Sequence, residues 1–394
     1  MKQVRTVAFY LPQFHTIPEN DEWWGEGFTE WTNVRRTVPA FDDHQHPRQP
    51  GELGEYDLRD REVMAEQVRL AADGGIDAFC FYYYWFAGKR LLEAPLDGYL
   101  DDGPGFPFCI CWANENWSRR WDGKDHELLI AQEYGPDTAR EVFDDFSKYL
   151  ADPRYLRVDG GLVLLVHRAD HLPDPRRFAE VWRTAAREQG LGELYLIASE
   201  TRPNLDPGGI GFDAVAEFPP VGSNTLSSAQ LLPPRGLSQR FRGRLMSYPR
   251  TARRYMRRRT PAFRRHPGVM PGWDNSARRG DRATIYVDSS PEIYSQWLQS
   301  ARGREASMPG DGLVFVNAWN EWAEGAYLEP DALHGNAYLS ATRGDDLALL
   351  RGHPPVRIGL PRFAWLRSIA LAAAASGLNL ARRIRDWRAS IDRP

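Results

Sequence analysis

Eight short apolar runs punctuate the chain: Val4 to Tyr10, Ala78 to Tyr84, Phe106 to Trp112, Gly161 to His167, Leu194 to Ser199, Ala214 to Phe218, a weaker one at Val269 to Trp273, and Leu313 to Trp319. Their apolar residues are consecutive rather than alternating, which is the pattern of strands buried on both faces. Segments of helical spacing precede several of them, at Asp60 to Asp73, Asp137 to Leu150, Pro175 to Gln189 and Pro291 to Arg302. Strands alternating with helices predict an α/β fold with a parallel sheet, and eight of them predict a (β/α)8 TIM barrel. An open doubly wound sheet is the alternative, but no Gly-x-Gly-x-x-Gly follows the first run. The expected organisation is a barrel over 1–345, with a basic insertion at about 222–268 before the seventh strand, and a linker with an amphipathic helical tail over 346–394.

A barrel gathers its chemistry at the C-terminal ends of its strands. Those ends read Gln13 and His15, Trp85, Asn114 and Glu115, His167, Glu200, Glu217, Asp274, then Asn320 and Glu321. Nearly every run therefore exits into a group able to touch a ligand.

Two regions depart from the alternation. From Arg235 to Arg265 there are twelve arginines and no Asp or Glu, interrupted by Pro249 and Pro261. Such a segment either folds back on the acidic remainder of the chain or meets an anionic partner, such as a lipid-linked glycan at the inner membrane face. The tail carries Phe363, Trp365, Leu366, Ile369 and Leu371, then Leu378, Leu380 and a basic end, which predicts a pair of amphipathic helices packed on the barrel.

Composition narrows the partners. With 394 residues, 42% of them hydrophobic, the chain can bury a large core, and a formal net charge of -3 argues against a nucleic-acid binder. The three cysteines, Cys80, Cys109 and Cys111, lie inside apolar runs and read as reduced core thiols, with no metal-ligand spacing around them. No metal or cofactor motif is expected. The N-terminus shows no signal-peptide core and no stretch reaches the roughly 18 uninterrupted apolar residues of a membrane span, so the expected location is cytoplasmic, peripheral to the inner membrane face if the arginines meet lipid.

The candidate chemistry stands directly after the eighth run, in Asn317-Ala-Trp-Asn-Glu-Trp-Ala-Glu-Gly-Ala-Tyr-Leu-Glu-Pro330. Glu321, Glu324 and Glu329 sit among aromatic rings, the setting for paired-carboxylate work on a glycosidic bond. Glu321 and Glu324 converge only if the strand ends by about Trp319, because residues three apart in a strand point to opposite faces. Trp319 and Trp322 can then exclude water and raise one carboxyl pKa. Fourteen Trp, sixteen Tyr and eighteen Phe, many in short polar-flanked clusters, suit stacking on sugar rings. Candidate sugar-binding residues are Tyr10, His15, Trp24, Glu30, Trp31, Tyr84, Trp85, Trp112, Asn114, Glu115, Trp121, Trp273, Asp274, Asn320 and Glu329. Glu115 is also an alternative catalytic acid.

Asn320-Glu-Trp-Ala-Glu-Gly resembles the active-site signature of glycoside hydrolase family 99. Further segments resemble the WbsX-like branch associated with O-antigen and surface-polysaccharide genes: Ala8-Phe-Tyr-Leu-Pro-Gln-Phe-His15, the stretch Asn20 to Asn33, Phe81-Tyr-Tyr-Tyr-Trp-Phe-Ala-Gly-Lys-Arg90, Cys111-Trp-Ala-Asn-Glu-Asn-Trp117 and Gly272-Trp-Asp-Asn275. The likeness spans about Thr6 to Arg343. It implies that Glu321 removes the proton of a substrate 2-hydroxyl, which closes a 1,2-anhydro sugar, while Glu324 serves as general acid and then base, with net retention at an α-linkage. On this resemblance the expected function is a retaining glycosidase acting on an oligosaccharide or polysaccharide, free or lipid-linked. The alternative is a WbsX-like glycosyltransferase building O-antigen or capsule glycan. A glycan-binding barrel without catalysis is the third reading.

Overall fold

The computed structural model describes residues 4–118, 128–345, 357, 359 and 363–391. Seven of the eight expected strands form where the apolar runs lie. They are β1 (Val4–Tyr10), β2 (Ala78–Phe86), β3 (Phe108–Trp112), β4 (Gly161–Val166), β5 (Leu194–Ser199), β6 (Ala214–Ala216) and, last in the chain, β8 (Gly312–Val316). All neighbours along this path are parallel, and β1 pairs with both β2 and β8.

The seventh strand lies earlier than expected. It spans two halves, Arg265–His266 and Gly268–Val269, which together make β7. The first half pairs with β6, the second with β8, so the barrel closes through it. Pro267 separates the halves because it has no N–H for the ladder, while its carbonyl still accepts the Phe315 N–H at 2.9 Å. Gly268 is required at this seam, since a Cβ there would lie 2.0 Å from the Glu217 carbonyl oxygen. Trp273 and Asp274 consequently belong to the loop beyond β7.

The helices begin where local chemistry satisfies their first N–H groups. Asp60 caps Arg61–Asp73, Asp174 caps Pro175–Glu188 and Ser290 caps Pro291–Ala306, the last two with proline in the first turn. Their apolar faces cover the barrel, and Trp112, Phe178 and Trp182 meet in one aromatic cluster at centroid distances of 5.6 to 6.3 Å. The three cysteines are buried thiols in this core.

The arginine-rich insertion is more ordered than a basic loop. Its strand Arg244–Ser247 runs parallel to Thr284–Val287, and the helix Tyr248–Met256 follows at once, packed on Pro291–Ala306. Several arginines fold back onto carboxylates of the barrel: Arg258 onto Glu200 and Glu217, Arg264 onto Glu305. The tail is one helix, Phe363–Ile391, where two were expected. It lies against the insertion, closing a small second core that contains Phe41, Phe241, Leu245, Ile285 and Ala364. Among the described residues no helix is long and apolar enough to cross a membrane.

Candidate active site

After β8 the chain leaves the barrel and folds into a tight hairpin in which Asn320–Glu321 pairs antiparallel with Ala326–Tyr327. The turn between them is the 3-10 segment Trp322–Glu324, followed by Gly325 in the left-handed region at φ 59°. This turn, not a strand, is what lets Glu321 and Glu324 converge. Trp322 stacks on Tyr327 at 3.8 Å and donates its indole N–H to Glu329 at 2.6 Å. Glu329 also accepts from Tyr56 and Gln67, so it braces the hairpin from below rather than facing the cleft. Asn320 exchanges two hydrogen bonds with the Leu11 backbone and fixes the hairpin to the exit of β1.

Both carboxylates meet one guanidinium. Arg278, in the short helix Ser276–Arg279 beyond β7, donates from Nη2 to Glu321 at 2.9 Å and from Nη1 to Glu324 at 2.7 Å. Its Nε donates to Glu30 at 3.1 Å. Three acids thus surround one cation in a region largely removed from water. Burial pushes Glu321 up to about 8 despite Arg278, and the charges of Glu324 and Glu30 add to the rise. Glu324 is raised as well, first by burial, with Arg278 opposing and Glu30 contributing. Of the two, Glu324 is the more open, with 21% of its side chain exposed against 7% for Glu321.

The pair opens into a cleft of about 410 Å³ walled by Trp24, Tyr82, Tyr84, Trp117 and Trp273. Glu115 stands in the same cleft, bound to Arg168 at 2.6 Å and 3.8 Å from His167. Burial works against its charge, yet the neighbouring His167 and Arg168 hold it below the usual carboxylate range. The cleft thus contains a proton-holding pair and an ionised acid together, beside flat apolar walls.

Of the residues expected from sequence, Trp24, Tyr84, Glu115, Trp273, Glu321 and Glu324 line this cleft. Glu30, Asn114, Asp274 and Asn320 stand behind it as supports. Asn114 holds the loop after β4 by bonding both the N–H and the carbonyl of Arg168. Asp274 takes the Ser276 N–H and hydroxyl on one oxygen and donates its own N–H to the Glu324 carbonyl, which seats Arg278 next to the hairpin.

Tyr10, His15, Trp31, Trp85 and Trp112 are not brought to the cleft. Alternate strand residues face the surrounding helices, and Tyr10 accordingly bonds Gln67 of the helix Arg61–Asp73, while Trp112 packs on Trp182. Trp31 is buried between Phe14 and Tyr56. Trp121 lies outside the described residues. Sequence reasoning missed Arg278, whose clue was its place three residues beyond the Gly272-Trp-Asp-Asn275 motif, and also Tyr82 and Trp117 as cleft walls, whereas His167, expected at a strand end, does line the cleft.

One cluster of metal-ligating residue types occurs among the described residues, His44, His46 and Asp274. His44 Nδ1 accepts the Ala40 N–H at 2.9 Å, so its Nε2 carries the proton that points at Asp274, 2.6 Å away. That leaves no lone pair for a metal, and Arg48 adds a positive charge 3.5 Å from the same carboxylate. The cluster is a hydrogen-bonded anchor for the loop that carries Arg278.

The family described as Glycosyltransferase WbsX matches residues 6–342. The WxcX protein of Xanthomonas campestris pv. campestris, itself uncharacterized, is 48% identical over 342 residues in each of two strains. That match covers 86% of this chain and 49% of the relative, so the chain spans about half the length of the curated relatives it matches. Among solved structures, a glycoside hydrolase-like protein superposes with a TM-score of 0.53 at 15% identity, covering 87% of this chain and 94% of that one. The family GH99 endo-alpha-mannosidase of Bacteroides thetaiotaomicron superposes at 0.51 and 15% identity, over 96% and 98%. At such identity the likeness is one of fold.

Proposed function

Because the chain belongs to the glycosyltransferase WbsX family, we propose that it is a carbohydrate-active enzyme of surface-polysaccharide biosynthesis that transfers a glycosyl residue with retention, using Glu321 and Glu324 as its acid-base pair. The observation that carries this reading is the convergence of both carboxylates on Arg278 at the floor of an aromatic cleft. A packed barrel wall would have no need of it.

In this reading the sugar lies against Trp24, Tyr84 and Trp273, with its anomeric carbon over the pair. One carboxylate, Glu321, takes the proton of the 2-hydroxyl as that oxygen attacks the anomeric carbon. The bond to the leaving group breaks, and Glu324 delivers its proton to the departing oxygen. Glu324, now ionised, removes the proton of an acceptor hydroxyl, whose oxygen opens the 1,2-anhydro ring from the original face. Glu321 returns its proton to the 2-oxygen, so atoms and charge balance over two inversions. Two oxygens on one guanidinium share its stabilisation, and the single proton of the pair can reside on either as the step requires. Ionised Glu115 faces the positive charge that develops on the sugar ring.

The test is incubation with activated α-glycosides in the presence of a sugar acceptor, with the product anomer read by NMR. A transferred product of retained configuration is expected, and Glu324→Gln should lower its rate by roughly 10² to 10⁴-fold. An inverted product rules out the anhydro-sugar route, and release to water alone makes the enzyme a hydrolase. Unchanged turnover in Glu324→Gln would remove the role assigned to that residue, and no turnover by the wild type would leave only a glycan-binding role.

A further inference from the structure

A second cleft of about 730 Å³ adjoins the first on the same rim of the barrel. The two share Val221 in their walls, and the loop after β5 places Thr201 in one and Glu200 and Arg202 in the other. Their linings differ in kind. The first sets Arg168, Arg278 and Arg279 against three carboxylates, Glu115, Glu321 and Glu324, among aromatic rings, whereas the second is lined by Arg202, Arg254, Arg258, Arg259 and Arg265 against a single carboxylate, Glu200. Arg258 is committed to Glu200 and to the buried Glu217, and Arg265 lies 3.3 Å from Glu217. Two internal acids therefore leave an excess of positive charge. The side chains of Arg202 and Arg259 make no hydrogen bond or ion pair with the described residues and are exposed at the mouth. In keeping with an unbalanced site, burial and then the neighbouring Arg258 charge hold Arg265 below its ordinary value.

We propose that this second cleft is a diphosphate subsite, which holds the phosphate groups of a glycosyl diphosphate while the attached sugar reaches past Val221 to Glu321 and Glu324. Planar guanidinium forks match phosphate oxygens two at a time, and a cluster of them in a concave pocket selects a compact, multiply charged anion over a neutral sugar. The site deepens the proposed glycosyl transfer and rests on it for the sugar end alone. Binding the diphosphate here would place the breaking bond between the two clefts, with Glu324 at the departing oxygen.

Isothermal titration of the full chain with inorganic diphosphate tests the site directly. Saturable binding to one site is expected, weakened about tenfold or more in Arg202→Ala/Arg259→Ala, where two charge-assisted contacts are lost. Both residues are exposed, so circular dichroism should show an unchanged fold. The source of the anion is read by repeating the titration with farnesyl diphosphate and with uridine diphosphate. Tighter binding of either than of bare diphosphate supports the proposal and assigns the carrier as prenyl or nucleoside. No saturable binding by the wild type, or equal binding by the double variant, overturns it. Glu324→Gln separates the two readings, because it should lower transfer by the roughly 10² to 10⁴-fold given above and leave diphosphate affinity unchanged. Glycosyl transfer by a protein that binds no diphosphate would overturn the subsite and spare the catalytic pair, whereas arginine-dependent diphosphate binding without transfer would keep the subsite and remove the pair's assigned role.

Discussion

A guanidinium that meets Glu30, Glu321 and Glu324 at once, as Arg278 does, sets where those acids point and, for Glu321 and Glu324, opposes the uptake of protons that burial favours. The upward shift of Glu321 to about 8 gives the pair a proton at neutral pH, and above that value no proton remains for the leaving group. The kcat/KM profile should therefore fall on its alkaline side near pH 8. Arg278 opposes that upward shift, so weakening it moves the limb further up. In Arg278→Lys, which keeps the charge and loses the fork, kcat should drop on the order of 10²-fold with the limb displaced to higher pH. A role in folding alone would reduce the amount of active protein and leave the limb in place. Arg278 is also the residue that reading the sequence missed. An arginine in an arginine-rich chain carries no local sign that two loops more than 40 residues apart will close on it.

At the scale of elements, what the sequence carried best were the starts of helices and the apolar runs. Asp174-Pro175 and Ser290-Pro291 are local devices that satisfy helix N-termini whatever surrounds them. The seventh strand was placed late because Arg265 and His266 are polar, yet the structure buries His266 fully, where its Nδ1 bonds Glu305. A partner 39 residues away makes that histidine a strand residue, and no pattern within the strand reveals it. The insertion and tail are likewise joined by contacts remote in sequence. The Leu245 N–H, in the strand Arg244–Ser247, donates to the Ser368 hydroxyl of the terminal helix at 2.7 Å. Ser368→Ala leaves that buried donor without its acceptor and should cost about 1–2 kcal/mol in urea unfolding. A helix resting loosely on the surface would show no change.

Across the whole molecule, buried ionisable groups make stability depend on pH. Glu321 is raised to about 8 and Glu329 to about 7, each first by burial, from an ordinary value of 4.5. Between those values the folded chain holds protons that the unfolded chain has released, so stability declines as pH rises through them. Histidines act in the opposite sense. Burial lowers His15 to about 4 and also lowers His167 and His266, which costs stability as pH falls below 6.5. Above about pH 7.5 the histidines are neutral in both states and only the carboxylates change, so from about pH 7.5 to 9 unfolding free energy should fall by roughly 1 kcal/mol. Glu321→Gln should flatten much of that slope, whereas a slope of the opposite sign would contradict protonation of the buried acids.

The sequence by itself determined the barrel, the order of its strands, and the segment that bears the acids, because burial on both faces, capping chemistry and the Asn-Glu-Trp-Ala-Glu-Gly stretch are local properties of the chain. Tertiary structure alone decided which aromatic residues face the cleft. Strand residues alternate between barrel interior and helix layer, and the register that assigns Tyr84 to one and Tyr10 to the other is fixed only when β1 pairs with β2 and β8. It also decided the charge state of Glu321 and Glu324, since that depends on Arg278 and on exclusion of water by side chains from loops that meet only after the barrel has closed.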